Sequence, residues 1–372
     1  MNFELTPEQQ QLADSVSKYL SHNYAFEQRK AILHSDTGVS EAVWQTFADM
    51  GLTAMTLPEA DGGFGGGASD MMAVMEAVGE ALVVEPLLDN VALAGRLVAR
   101  LGSPAQRQAL LPGLIDGSAR MAFAGTEAGQ RYDWVPRETQ AKPQDGGWVL
   151  HGRKSVVTGA SSAQHWVVSA ATPQGVGLFV VPASTLGASL NPSRTVDGYR
   201  VADVVLQDVA LPAEALLGGQ QQAMPWIEEA IDFATALLCA EAVGAMKSAN
   251  DATLEYLKQR KQFGVPIASF QVLQHRMVEM YICTEQARSM AILAASKVDA
   301  CPDARERARA VSAAKIKIAD AARQVSQEAV QLHGGMGMTE ELKVSHTFRR
   351  LTMLAQQLGD ADHHLERYAA LT

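Results

Sequence analysis

The apolar positions of the chain change period twice. In "LTPEQQQLADSVSKYLSHNY", Leu12, Val16 and Leu20 recur every four residues, a spacing that places them on one face of a helix. Thr6 and Pro7 mark its start, with Thr6 as N-cap and Pro7 in the first helical position. "SEAVWQTFADMG" reads as a second helix closed by Gly51, and "MMAVMEAVGEALV" as a further one. Near residue 119 the runs shorten. "RMAFAGTE", "GWVLHGRKSVVTGA", "HWVVSAA", "GVGLFVVP" and "RVADVVLQDVALP" are β-branched and separated by Gly, Pro, Asp and Asn, which predicts strands and turns. From about residue 224 long Ala-rich amphipathic segments return. Helices, then strands, then helices predict an α+β chain of separate domains rather than alternating α/β. The expected boundaries are 1–118 (N-terminal helical domain), 119–220 (β domain) and 221–372 (C-terminal helical domain).

Composition narrows the function classes. A length of 372 residues fits two or three domains, and 47% hydrophobic residues suffice for a large core. A net charge of −10 argues against nucleic acid as the main partner, while local basic groups can still hold a small anion. Cys239, Cys283 and Cys301 lack metal-ligand spacing, so neither a disulfide framework nor a zinc site is expected. His363 and His364 are adjacent and point to different faces of a helix, so no metal is expected there either. The opening "MNFELTPEQQ" carries no signal-peptide pattern. The longer apolar runs contain Gly or charge and are too short to span a bilayer. A cytoplasmic protein without a membrane span is expected.

A glycine-rich stretch that could suggest a phosphate cradle and a cationic helix end stand out. "LPEADGGFGGGASD" holds Gly62, Gly63, Gly65, Gly66 and Gly67, but no lysine follows at P-loop spacing and no strand clearly precedes it. In "YLKQRKQFGVPIASFQVLQHR" a helical pattern runs into Arg260 and Lys261 and stops at Gln262, Phe263 and Gly264, with a second helix after Pro266. Taken alone, the cations complement the negative end of a helix dipole and the glycine permits a turn.

Together these segments resemble the acyl-CoA dehydrogenases along nearly the whole chain. The resemblance rests on "GLTAMTLPEADGGFGGG", "FAGTEAG", "GWVLHGRKSVVTGAS", "RKQFGVPIASFQVLQHRMVEM" and "AVQLHGGMGMTEE". It implies the fold of that family: an N-terminal helical domain, a central β-barrel-like domain and a C-terminal four-helix bundle. It also implies FAD as cofactor. Arg260 would meet the pyrophosphate of a neighbouring subunit's FAD, its planar guanidinium being suited to bidentate contact. Gln262 would lie beside it, Phe263 by the adenosine, and Gln271 would face the same region. Gln331 and the backbone at Gly334 and Gly335 would serve the same cofactor, glycine permitting close approach. In the chain's own β domain the resemblance implies Thr126 and Thr158 as flavin-ring contacts, with Phe123 and Gly125 lining the strand.

The family pattern breaks at several places. The usual Pro-Gly-Ala-Gly-Ser-Asp continuation reads "AGQRYDW", and the aromatic residue that packs on the flavin is replaced by Val156. Dehydrogenation of a CoA thioester needs a carboxylate to take the α-proton while the flavin takes the β-hydride. Counted from Phe348 and Arg349, the position of that carboxylate is Leu358, and a second family position is Ala234. Two nearby acids remain, Glu241 and Asp232. Glu241 interrupts an apolar run on the helical face of Leu237, Leu238, Gly244 and Ala245, and burial favours the protonated form of a carboxylate. The alternative for Glu241 is a structural glutamate, paired with an arginine of a neighbouring subunit or satisfied within the bundle.

The resemblance implies an FAD-dependent acyl-CoA dehydrogenase acting on the CH–CH bond of an acyl-CoA. The breaks imply the smaller subunit of an α2β2 heteromer, whose larger partner supplies the carboxylate, as in systems acting on dicarboxylyl or steroid side-chain thioesters; lipid or steroid catabolism is the implied setting. The variant is a dimer or tetramer of this chain using Glu241 or Asp232. Electron-transferring flavoprotein is the implied acceptor. The rivals are a flavin-dependent monooxygenase of the same fold and a non-catalytic structural partner of a dehydrogenase subunit.

Overall fold

The computed structural model describes residues 5–371. The acidic, polar start at Met1–Glu4 lies outside the described residues. Two compact units emerge within that range. The first draws on residues 5–31, Ala68–Val83 and 235–371, and the second on Ile32–Gly67 and Val84–Ala234.

In the first unit, α1 (Pro7–Asn23) starts where Thr6 and Pro7 place it. The Thr6 hydroxyl accepts from the Gln9 amide at 3.2 Å, and Gln9 returns its side-chain oxygen to the Thr6 amide at 2.8 Å, a reciprocal cap. Val16 and Leu20 are buried, as their spacing requires. Helix α4 (Ala68–Ala81) packs on α1. The unit also takes α2 (Phe26–His34) as far as Ala31, α7 (Met224–Gln259) from Thr235 onward, α8 (Gln271–Ala300), α9 (Ala304–His333), α10 (Lys343–Gln356) and α11 (Ala361–Ala370). α9 packs against α8, α10 and α11.

The second unit holds α3 (Glu41–Asp49), α5 (Arg96–Leu101), α6 (Pro104–Ile115) and a seven-stranded sheet. The strands are β1 (Met121–Ala124), β2 (Gln140–Gln144), β3 (Gly147–Thr158), β4 (His165–Thr172), β5 (Gly175–Pro182), β6 (Ala188–Arg194) and β7 (Arg200–Leu211). Their order is β1-β4-β2-β3-β7-β6, with β5 also on β4. β1 runs parallel to β4, and the β2–β3, β3–β7, β4–β5 and β6–β7 pairs are antiparallel. Trp166, Phe179, Leu150, Val204 and Leu206 fill its core. The apolar runs did not announce β2 and β6. "QAKPQ" and "ASLNPSR" are mostly exposed, so hydrophobic period carries no signal there. Pro192 fits β6 because that strand is an edge.

The Gly62–Gly67 loop folds back on its own approach. The amides of Gly62, Gly63, Gly65 and Gly66 donate to the carbonyls of Glu59, Pro58, Leu57 and Met55 at 2.8–3.0 Å. A Cβ at Gly63 would sit 2.2 Å from the Leu57 carbonyl oxygen. These glycines serve a tight turn, with their amides already engaged.

Candidate functional site

The expected residues fall into two groups, one in each unit. In the first unit, α7 ends at Gln259, one residue before Arg260. Arg260 and Lys261 therefore do not extend the helix. Lys261–Gln262 and Val265–Pro266 pair as the two-residue strands β8 and β9. Phe263 (φ 55°) and Gly264 (φ 81°) form the turn, since a tight hairpin needs positive φ at both central residues. The turn leaves the Phe263 ring 91% exposed. Arg260, Gln262 and Gln271 are exposed as well. At the end of α9, Gln331, Gly334 and Gly335 are exposed, and a Cβ built on either glycine meets nothing within 4 Å. The Tyr256 and His333 rings stack at 4.4 Å, which holds the end of α7 against the end of α9. His333 is a packing residue. Its Nδ1 lies 2.8 Å from the Ala329 carbonyl, and burial lowers its basicity. Arg260 and Lys261 are exposed cations and the backbone at Gly334 and Gly335 is open, with no side chain filling the space, features that suit an anionic cofactor.

In the second unit, Phe123 is buried on β1 and stacks with Trp134 at 6.1 Å. Thr126 follows β1 and is tied to β3. The Ser155 amide donates to the Thr126 carbonyl at 2.9 Å, and the Thr126 hydroxyl donates to the Ser155 carbonyl. Thr126 is thus held against the Ser155–Val156 segment, Thr158 closes the same strand, and Gly125 is crowded. A Cβ there would meet the Phe123 ring at 2.5 Å.

A buried ion pair organises the loop after β1. Lys154 and Glu127 are 2.7 Å apart, both side chains fully buried. Glu127 accepts from the amides of Arg137, Glu138 and Thr139 at 2.8–3.0 Å. Burial pushes its carboxyl up, but the Glu138 amide, Lys154 and the Arg137 amide outweigh burial and hold it at about 2. Burial lowers Lys154 to about 8 against the pull of Glu127. Nothing in the apolar pattern pointed to this pair. The one available signal was a lysine within a strand run and an acid just after another.

The candidate carboxylates both lie on α7, nine residues apart. That is about two and a half turns, so they face opposite sides of the helix. Asp232 is fully buried. Glu241 is 2% exposed and receives Arg350 of α10, Nε at 2.7 Å and Nη2 at 2.6 Å on Oε1. Arg350 was not foreseen, because nothing in sequence ties it to a residue 109 positions away. Leu358 is buried with φ 59°. Its carbonyl lies 3.1 Å from His364 Nε2. Lys315 donates to the carbonyls of Leu354 and Ala355 at 2.7 and 3.2 Å. Burial brings Lys315 down to about 8, and burial, aided by Lys315, brings His364 to about 3. The neutral imidazole donates to the Leu358 carbonyl and accepts from the Ser312 hydroxyl, 3.2 Å from Nδ1. Among the described residues no group of three or more His, Cys, Asp or Glu side chains is placed to hold a metal. No helix among them is long and apolar enough to cross a membrane. The three cysteines are free.

Known proteins share this domain order and fold. Residues 6–118 match the acyl-CoA dehydrogenase N-terminal domain, 122–209 the middle domain and 224–370 the C-terminal domain. A probable acyl-CoA dehydrogenase of Bacillus subtilis, YngJ, is 30% identical over 381 residues, covering 99% of this chain and 98% of the relative. The Tcur3481-Tcur3483 steroid ACAD, in a variant form, superposes with a TM-score of 0.87 at 30% identity, covering 98% of this chain and 97% of that one. The ChsE4-ChsE5 complex from Mycobacterium tuberculosis gives a TM-score of 0.90 at 26% identity, covering 100% and 98%. The chain belongs to the acyl-CoA dehydrogenase family, FAD-dependent oxidoreductases acting on the CH–CH bond of an acyl-CoA.

Proposed function

We propose that this chain is one subunit of a heteromeric, FAD-dependent acyl-CoA dehydrogenase whose larger partner supplies the carboxylate that removes the α-proton. The observation that carries this reading is Leu358. An aliphatic side chain, buried at positive φ in a turn fastened by Lys315 and His364, occupies the place where the family pattern calls for an acid. The two structural neighbours described as paired chains support the same reading. Bound FAD would supply the acceptor for the β-hydride. Arg260, Gln262, Phe263, Gln271, Gln331, Gly334 and Gly335 would hold a neighbour's cofactor. Phe123, Gly125, Thr126, Val156 and Thr158 would line the ring in this chain's own β domain. Domain boundaries at 118/119 and 220/221, a cytoplasmic location and electron-transferring flavoprotein as acceptor belong to the same proposal.

A self-sufficient homo-oligomer would have to use Glu241 or Asp232. Arg350 on Oε1 favours a structural role for Glu241. Rapid mixing with acyl-CoA decides between the two. The heteromer reading expects flavin reduction only when the second polypeptide is present. Flavin reduction by this chain alone, slowed at least ~100-fold in Glu241→Gln or Asp232→Asn, the scale of a lost general base, would overturn it.

A further inference from the structure

Strand β3 carries a β-branched residue in a backbone conformation that such residues avoid. Val156 has φ 55° and is 59% exposed. A positive φ is an outlier for a β-branched side chain, and outliers persist only where surrounding contacts enforce them. The enforcing contacts are visible in the β3–β7 register. Lys154 faces Val204 and Val157 faces Ala202, so Ser155 and Val156 together oppose the single residue Asp203. This is a bulge, which re-aims side chains. The main-chain amide and carbonyl of Ser155 are taken by Thr126. The Val156 amide donates to Asp203 Oδ1 at 3.0 Å, and Asp203 Oδ2 is held by Arg153.

We propose that Asp203 is a positioning residue: its carboxylate clamps the strained bulge and so fixes how Val156 and Thr158 are presented to bound flavin. The presentation to flavin rests on the FAD reading above; the clamp itself does not. Asp203 is held below the usual carboxylate range, first by Arg153, consistent with an ionised acceptor.

A four-variant cycle tests it: wild type, Asp203→Ala, Val156→Gly and the double variant, with Asp203→Asn as the conservative control. Glycine adopts positive φ without strain, so it removes what the clamp restrains. Asp203→Ala should lower the melting temperature of the flavin-free protein by roughly 2–4 °C, and by less than half as much in the Val156→Gly background. In the flavin-loaded assembly Asp203→Ala should shift the visible flavin absorbance. Asp203→Asn, which keeps an oxygen for the Val156 amide, should leave that absorbance near wild type. Equal melting losses in both backgrounds would refute the clamp. A coupled melting cycle with an unmoved flavin spectrum would refute the positioning role. If the wild-type assembly holds no flavin, the FAD reading fails and takes the positioning role with it, while the melting cycle still decides the clamp.

Discussion

At the scale of single residues, the most heavily constrained charges lie in the β domain rather than among the expected catalytic acids. Glu127 accepts three main-chain amides and Lys154 in a fully buried pocket. Removing one member of such a pair leaves an uncompensated buried charge, at about 3–5 kcal/mol. Lys154→Met should therefore destabilise the protein by that order, measured by denaturant unfolding. The pH dependence follows from Glu127. Its folded value, about 2, lies below its ordinary 4.5, so the unfolded chain binds more protons between the two. The stabilisation is complete above about 4.5 and is lost as pH falls toward 2. Glu127→Gln should be less stable than wild type at neutral pH and should show a shallower loss of stability over that window. An unchanged acid-unfolding profile would count against the assignment.

Two helices of the first unit owe their placement to glycine. A Cβ on Gly79 of α4 would sit 1.9 Å from the carbonyl oxygen of Glu241, and one on Gly244 of α7 would sit 1.9 Å from that of Glu76. The contacts are reciprocal and main-chain, so neither helix can yield by moving a side chain. Gly79→Ala and Gly244→Ala should each destabilise by about 1–3 kcal/mol or more through overpacking. Gly335→Ala, whose Cβ meets nothing, should stay within about 0.5 kcal/mol. Thermal melting of the three variants checks the ranking. Glu241, whose carbonyl faces Gly79, also carries Arg350 of α10 on its carboxylate. The start of α4 is also made in three dimensions: Asp299 of α8 accepts from the amides of Ala68 and Ser69 at 2.7 and 2.9 Å.

At the scale of the whole molecule, the first unit carries an exposed apolar surface on α8 and the hairpin before it. Phe263, Val272, Val278, Tyr281 and Ile282 are 48–91% exposed. Exposed apolar side chains of this kind are ones that association with another chain would cover. The FAD reading and this surface make one joint prediction. Arg260→Ala should weaken FAD retention about 10- to 150-fold, the equivalent of a lost charge-assisted hydrogen bond of roughly 1.5–3 kcal/mol. Retention should track assembly, as read by the flavin-to-protein ratio of gel-filtration fractions. A monomer with full flavin occupancy at micromolar concentration would contradict it.

Sequence by itself determined whatever depends on near neighbours in the chain. The Thr6 cap, the buried Val16 and Leu20, the turn at Phe263–Gly264 and the strand-rich middle follow from local spacing, because caps, periods and turns act over a few residues. The long motifs around Arg260 and Gln331 determined the family. Tertiary structure alone decided which charges meet. Glu241 and Arg350 are 109 positions apart, and Lys154 and Glu127 are 27 apart. No period or cap encodes such pairs, and each forms where folding desolvates both charges, so that leaving either one uncompensated would be costly. The same holds for Asp203, a polar position in an alternating strand until the bulge at Val156 turns an amide toward it.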